Sequence, residues 1–381
     1  MPIKIKSTSG GSVTIDVPST AVDTTMMLPV TNAGLISNTN PVMTGNVAIT
    51  GNVSVTGANS YISINGDNLS PYTMKNRIIN GDFNFWQRGN TFTVVNSVNT
   101  YSADRFRTEG YGANTTISQQ SFAGGQTDVP DNPIYYCRVA LNNTNTGGYW
   151  AFMQRIESPQ VMRGFGTYTL SFWVRASSGT VAAGGWQYGL TTLVSGPALT
   201  TTWQKVTQTI TISSSAYESN GYLSPYLIFL PQNTAALSID VAHVQVEAGT
   251  VATPFEFRQY GQELALCQRY FEKSFDYATV PSNGSGAFST YTGASFGIAT
   301  NRSVTGTSIS FQVPKRAIPT FTAYGSTSGA WGYIAAGGTS LSFSLSVNYT
   351  VLSTTSFNFN QQVVDGTFIL CLGHWTASAE L

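Results

Sequence analysis

Thr167-Tyr-Thr-Leu-Ser-Phe-Trp-Val-Arg-Ala176 decides the fold class, because a short run rich in aromatic and β-branched residues reads as a strand. Comparable runs follow at regular spacing over Gln204 to Ile212, Tyr222 to Leu230 and Leu237 to Val246. Many short strands separated by Gly and Asn turns from Asn76 to Tyr260 predict a β-sandwich with jelly-roll winding. Within the quoted run, Trp173 stands between Phe172 and Val174 and is expected in the core.

The composition agrees with that reading. Only 9% of the 381 residues are charged, against roughly 25% in an average soluble domain. Gly, Ser, Thr and Asn stand where Lys and Glu usually do, which disfavours long helices. The 18 basic and 18 acidic residues cancel, so no field gathers phosphate backbones or anionic lipid, and nucleic acid is excluded as a partner. No window reaches the length of a membrane span, and Met1 to Lys6 lacks a signal-peptide core, so the expectation is synthesis in the cytoplasm without export or membrane insertion. Cys137, Cys267 and Cys371 are too scattered for a disulfide framework or a zinc site and read as buried free thiols.

Working outward, the length fits two or three domains of about 100–200 residues each. Residues 1–40 contain one alternating strand, Ser12 to Val17, too little to fold alone, and are expected as a separate N-terminal segment. Residues 41–75 hold a hexad, Gly45-Asn-Val-Ala-Ile-Thr50, repeated as Gly51-Asn-Val-Ser-Val-Thr56, with Val47, Ile49, Val53 and Val55 on one face. Strips this small bury too little surface alone; a plain edge hairpin is the alternative, but it would leave its apolar face uncovered, so three chains are expected to complete a narrow β-shaft on a threefold axis. Ser70-Pro71 signals a short linking helix through Met74. Residues 76–260 are the jelly roll. Residues 261–381 open with a helix, Gly261 to Lys273, and continue as a C-terminal β-sandwich tip; on a threefold axis Leu264 and Phe271 would meet their copies. The fold class is therefore all-β, arranged as a trimeric fibre.

Several segments resemble bacteriophage tail-fibre proteins with carbohydrate-binding jelly-roll domains. They are Asn76-Arg-Ile-Ile-Asn-Gly-Asp-Phe-Asn-Phe-Trp-Gln-Arg-Gly89, Tyr101-Ser-Ala-Asp-Arg-Phe106, Thr169 to Ala176, Val244-Gln-Val-Glu-Ala-Gly249, Ala252-Thr-Pro-Phe-Glu-Phe-Arg258, Glu263 to Tyr270 and Phe311 to Thr320. The resemblance implies a homotrimeric virion fibre, tail or other, held to further virion proteins through its N-terminus and facing host surface polysaccharide with its C-terminal part. It also makes Asp82 and Asp240 possible ligands of a structural calcium; otherwise no cofactor is expected. Read from the residues alone, Asn80-Gly81 is a turn, Phe83 and Trp86 are apolar anchors, and Asp104-Arg105 can pair at a strand end.

Sugar recognition needs flat aromatic faces beside amides and hydroxyls. Seven Trp and 19 Tyr are present. Those in Gly-rich loops supply the candidates Tyr149, Trp150, Trp186, Tyr188, Trp331 and Tyr333. A hydrolase reading exists in Gly293-Ala-Ser-Phe-Gly297, with Asp365 and His374 following in order, but no helix pattern follows Ser295 and so rich a Gly/Ser composition produces the motif by chance. No catalytic residue is assigned. The alternatives to a binding fibre are a depolymerase on the same scaffold and a capsid or tail decoration without a receptor. His243 reads as a satisfied core or interface histidine.

Overall fold

The computed structural model describes strand backbones at 3–6, 12–15, 26–27, 36–37, 62–64 and 67–69, then residues 74–95, 99–110, 112–157, 166–178, 183–187, 197–212, 222–230, 234–284, 303–325, 331–335, 342–345, 349–351, 353–362 and 368–381. The chain divides into Met1–Ser60 and Tyr61–Leu381. In the first unit, Ile3–Lys6 pairs antiparallel with Ser12–Ile15, and Met26–Met27 with Ile36–Ser37. The hexads with Val47, Ile49, Val53 and Val55 lie outside the described residues, as does the Ser70-Pro71 helix signal up to residue 73.

Among its described residues the larger unit is all-β apart from one short helix. Its six-stranded antiparallel sheet runs, edge to edge, Gln204–Ile212, Gly166–Ala176, Leu237–Ala248, Tyr135–Leu141, Thr115–Ser121 and Thr91–Val94. A second sheet runs Ile156–Glu157, Tyr222–Leu230, Trp150–Gln154 and Phe106–Gly110, with Ala183–Gln187 also paired to Tyr222–Leu230. The chain passes repeatedly from one sheet to the other, the winding of a jelly roll. Alternation buries Leu170, Phe172 and Val174 against Phe106, Trp150, Phe152 and Ile228 of the facing sheet.

The central strand changes phase partway along. Ile239 and Val241 are buried in the core, and so are Val244 and Val246, which strict alternation forbids. A β-bulge accounts for it: Ser171 pairs with Gln245, while Trp173 pairs with Ala242. One extra residue is therefore accommodated on the Leu237–Ala248 strand, where His243 takes φ +47°.

Segments far apart in sequence meet beside that strand. The Arg77 amide donates to Val246 O (2.7 Å) and the Val244 amide to Gly81 O (2.8 Å). Asn76 Nδ2 donates to Val244 O (3.0 Å), and Arg258 Nη1 donates to Glu263 Oε2 (2.9 Å) and Ile78 O (3.1 Å). Four of the segments that carry the family resemblance thus form one hydrogen-bonded hub. Asn80, at φ +62°, makes the expected turn, and Phe83 and Trp86 are buried. Asp104 and Arg105 do not pair with each other. Asp104 lies 3.7 Å from Arg88, whereas Arg105 pairs with Glu380 and packs 3.4 Å from the Tyr270 ring centroid.

The helix is shorter than its sequence pattern, Tyr260–Gln268 rather than Gly261 to Lys273. The Arg269 amide bonds Ala265 O (3.1 Å) and the Tyr270 amide Cys267 O (3.0 Å), tightening the final turn. Phe271–Lys273 then pairs with His374–Ser378. Phe271 is buried, with the Arg88 guanidinium 3.7 Å from its ring centroid. It is therefore unavailable to meet a copy of itself on an axis. Beyond the helix the described residues form three three-stranded antiparallel sheets. Two of them pack around Phe311, Phe321, Phe357 and Trp375. Cys137 and Cys267 are buried free thiols, as expected.

Candidate functional site

The outward residues of the six-stranded sheet are set by the same alternation that builds the core. With Leu170, Phe172 and Val174 inside, Ser171, Trp173 and Arg175 face out. Trp173 is half-buried, not a core residue. Its backbone partners are Lys205 on one neighbour and Ala242 on the other.

Beside Trp173 opens a groove of about 310 Å³ lined by Trp173, Lys205, His243, Gln245, Asp131 and Phe255 among others. The run from Ala252 to Phe257 closes one part of it and is tied down by carboxylate and amide contacts. Glu247 accepts from the Thr253 amide (2.9 Å) and from Thr253 Oγ1 (2.7 Å). Gln245 Oε1 accepts from the Glu256 amide (2.9 Å), and its Nε2 donates to Glu247 Oε1 (2.7 Å). Phe255 stacks on the His243 ring at a centroid distance of 4.2 Å and an interplanar angle of 4°.

His243 is 3% exposed, and its Nε2 has no hydrogen-bond partner. Burial, aided by the Lys205 charge, lowers its pKa to about 4, so the imidazole is neutral at ordinary pH. Its place in a strand predicts a satisfied histidine; the bulge instead turns it to the groove. Burial also lowers the Lys205 pKa.

Along the same face, Asp240 accepts from Arg138 Nε (2.7 Å) and Nη2 (2.9 Å) and from Arg175 Nε (2.9 Å). The Arg175 guanidinium lies 4.9 Å from the Trp203 ring centroid. Phe122, Tyr136 and Trp203 cluster beside it, with centroid distances of 4.8 to 5.5 Å. Two guanidinium groups occupy the Asp240 carboxylate, so it is not a calcium ligand. Asp82 Oδ1 has no partner, and burial together with Glu263 raises its pKa to about 6. Among the described residues no three His, Cys, Asp or Glu gather as a metal site.

Neither Trp150 nor Tyr149 belongs to this groove. Trp150 is 2% exposed and belongs to the core, because its strand turns it toward the facing sheet. Tyr149 stacks on Phe229 (5.5 Å) and bonds Glu109 Oε1 (3.1 Å) on the far side of the smaller sheet. Trp186 lies in Ala183–Gln187, and Trp331 and Tyr333 in Trp331–Ala335. Those three side chains, and Tyr188 altogether, lie outside the described residues, as do Ser295 and Asp365. His374 is buried, stacks on Phe275 (4.2 Å) and lies 3.2 Å from Ser274 Oγ through Nδ1, a packing role.

No family model matches the chain, and no curated protein does. Solved structures give partial likenesses. The enzymatically active domain of tailspike protein 4 from bacteriophage CBA120 is 14% identical with a TM-score of 0.28, over 45% of this chain and 21% of that one. A family 4 carbohydrate-binding module is 19% identical with a TM-score of 0.26, over 45% of this chain and 98% of its own. The family 11 carbohydrate-binding module from Clostridium thermocellum, solved with a β-1,3-1,4-mixed-linked tetrasaccharide, is 12% identical with a TM-score of 0.27, over 43% and 98%. At these scores the likenesses decide nothing about this chain.

Proposed function

We propose that the chain is a glycan-binding subunit of a trimeric bacteriophage fibre and that the outer face of the six-stranded sheet touches host surface polysaccharide. The observation that carries the glycan reading is the groove beside Trp173: a half-buried indole bordered by the neutral His243, Lys205 and Asp131, with a second aromatic cluster around Trp203 on the same face. Indole faces stack on pyranose C–H groups while such polar neighbours bond hydroxyls. The fibre reading rests on the hexads at 45–56 and on the tail-fibre resemblance of the segments from Asn76 onward. Assembly into the virion follows from that resemblance.

Host polysaccharide binding by the intact chain, measured by surface plasmon resonance, tests the glycan reading. Trp173→Ala is expected to lower affinity about tenfold or more, the scale of a central aromatic anchor. Trp203→Ala is expected to give a smaller loss. Undiminished binding by both variants removes this face as the receptor site.

A further inference from the structure

We infer that the groove beside Trp173 receives one uncharged pyranose unit, a chain end or a side branch, and not a run of polymer, with His243 Nε2 bonding one of its hydroxyls. The inference rests on the glycan reading above and narrows it to a ligand class. Three features support it together.

The first is size. At about 310 Å³ the groove sits at the small end of ligand pockets, whose range is about 300–1,000 Å³. That is room for one six-membered ring and its substituents. The second is hydrogen-bonding capacity. Gln245 already serves Glu247 and the Glu256 amide, which leaves His243 Nε2 as a buried, unpartnered polar atom at the groove. Such an atom costs free energy until something bonds it. A hydroxyl gives and accepts hydrogen bonds, so a sugar satisfies this nitrogen in either imidazole tautomer.

The third is charge. The titratable groups lining the groove are Lys205, Asp131 and His243. The first two cancel and the third is neutral, so the lining has no net charge with which to select a carboxylate-bearing sugar. Lys205 instead offers a donor and Asp131 an acceptor for ring hydroxyls. The geometry of His243 belongs to the same design. Held at φ +47° by the bulge and stacked flat on Phe255, its ring has little freedom, so little entropy is lost when a ligand bonds it.

Saturation-transfer NMR of the full chain at neutral pH tests the assignment with methyl glycosides of glucose, galactose, mannose and N-acetylglucosamine, and with glucuronate and galacturonate. At least one neutral glycoside is expected to bind while the uronates do not. His243→Phe keeps a ring for Phe255 and loses the nitrogen; affinity is expected to fall about tenfold, the worth of one hydrogen bond. His243→Asn suits the positive φ but is too short to replace Nε2, so the same loss is expected there, and this variant serves if the Phe variant does not fold. Binding of the uronates alone, wild-type affinity in a folded His243 variant, or no binding of any single sugar while Trp173-dependent polysaccharide binding persists overturns the inference and leaves the glycan reading standing. Failure to bind any glycan at all overturns both.

Discussion

His243 is a residue whose burial has a measurable signature. Its unfolded pKa is near 6.5 and its folded value about 4, so between those limits the unfolded chain binds the extra proton. Stability from this group is complete above pH 6.5 and is lost as pH falls toward 4. With about 1.4 kcal/mol per pKa unit, the loss reaches roughly 3 kcal/mol. Denaturant melts at pH 7 and 4.5 are expected to show it, and His243→Asn is expected to remove that component. Asp82 has the opposite sign. Its folded pKa of about 6 exceeds the unfolded 3.8, so its cost is full above pH 6 and is relieved on acidification. Asp82→Asn is therefore expected to stabilise the protein at pH 7 by about 1 kcal/mol, discounted for partial exposure, and added calcium is expected to leave the wild-type melting temperature unchanged. Trp173 was legible in principle: Leu170, Phe172 and Val174 share one parity, so Trp173 had to share the other with Ser171 and Arg175. Its apolar neighbours in sequence masked that. His243 was not legible, because nothing local announces that Val241 and Val244 both face inward.

At the scale of elements, four strands could be read from their β-branched and aromatic runs nearly to the residue: Gln204–Ile212 and Tyr222–Leu230 coincide with their sequence limits, and Gly166–Ala176 and Leu237–Ala248 exceed theirs by one and two residues. The helix overran its true end because Phe271 continues the helical spacing while its backbone is claimed by the His374–Ser378 strand. Pairing across such distance is invisible to local pattern. The hub beside the bulge sets a sharper test. A Cβ added at Gly81 would lie 2.1 Å from Val244 O, in backbone that cannot retreat without losing the Val244 amide bond to Gly81 O. Gly81→Ala is expected to destabilise by about 2–4 kcal/mol in urea titrations, and to weaken glycan binding because the bulge and its histidine are displaced.

For the whole molecule, the expectation that matters is assembly. Three chains per particle are predicted by light scattering, and Val53→Asp with Val55→Asp is expected to yield single chains, since charges on the strip would face one another across the axis. A wild-type protein that remains a single chain at micromolar concentration removes the fibre reading. The larger unit carries its own long-range bond. Arg105, 1% exposed, is paired with Glu380, and Arg88 reaches the same carboxylate at 2.9 Å. Glu380→Ala is expected to cost about 3–5 kcal/mol by leaving a buried cation unanswered. These partners stand 275 positions apart. During synthesis at about 5–20 residues per second, Arg105 emerges from the ribosome on the order of tens of seconds before the carboxylate that neutralises it exists. An interrupted translation product therefore carries the Arg105 guanidinium without the carboxylate that answers it in the finished fold.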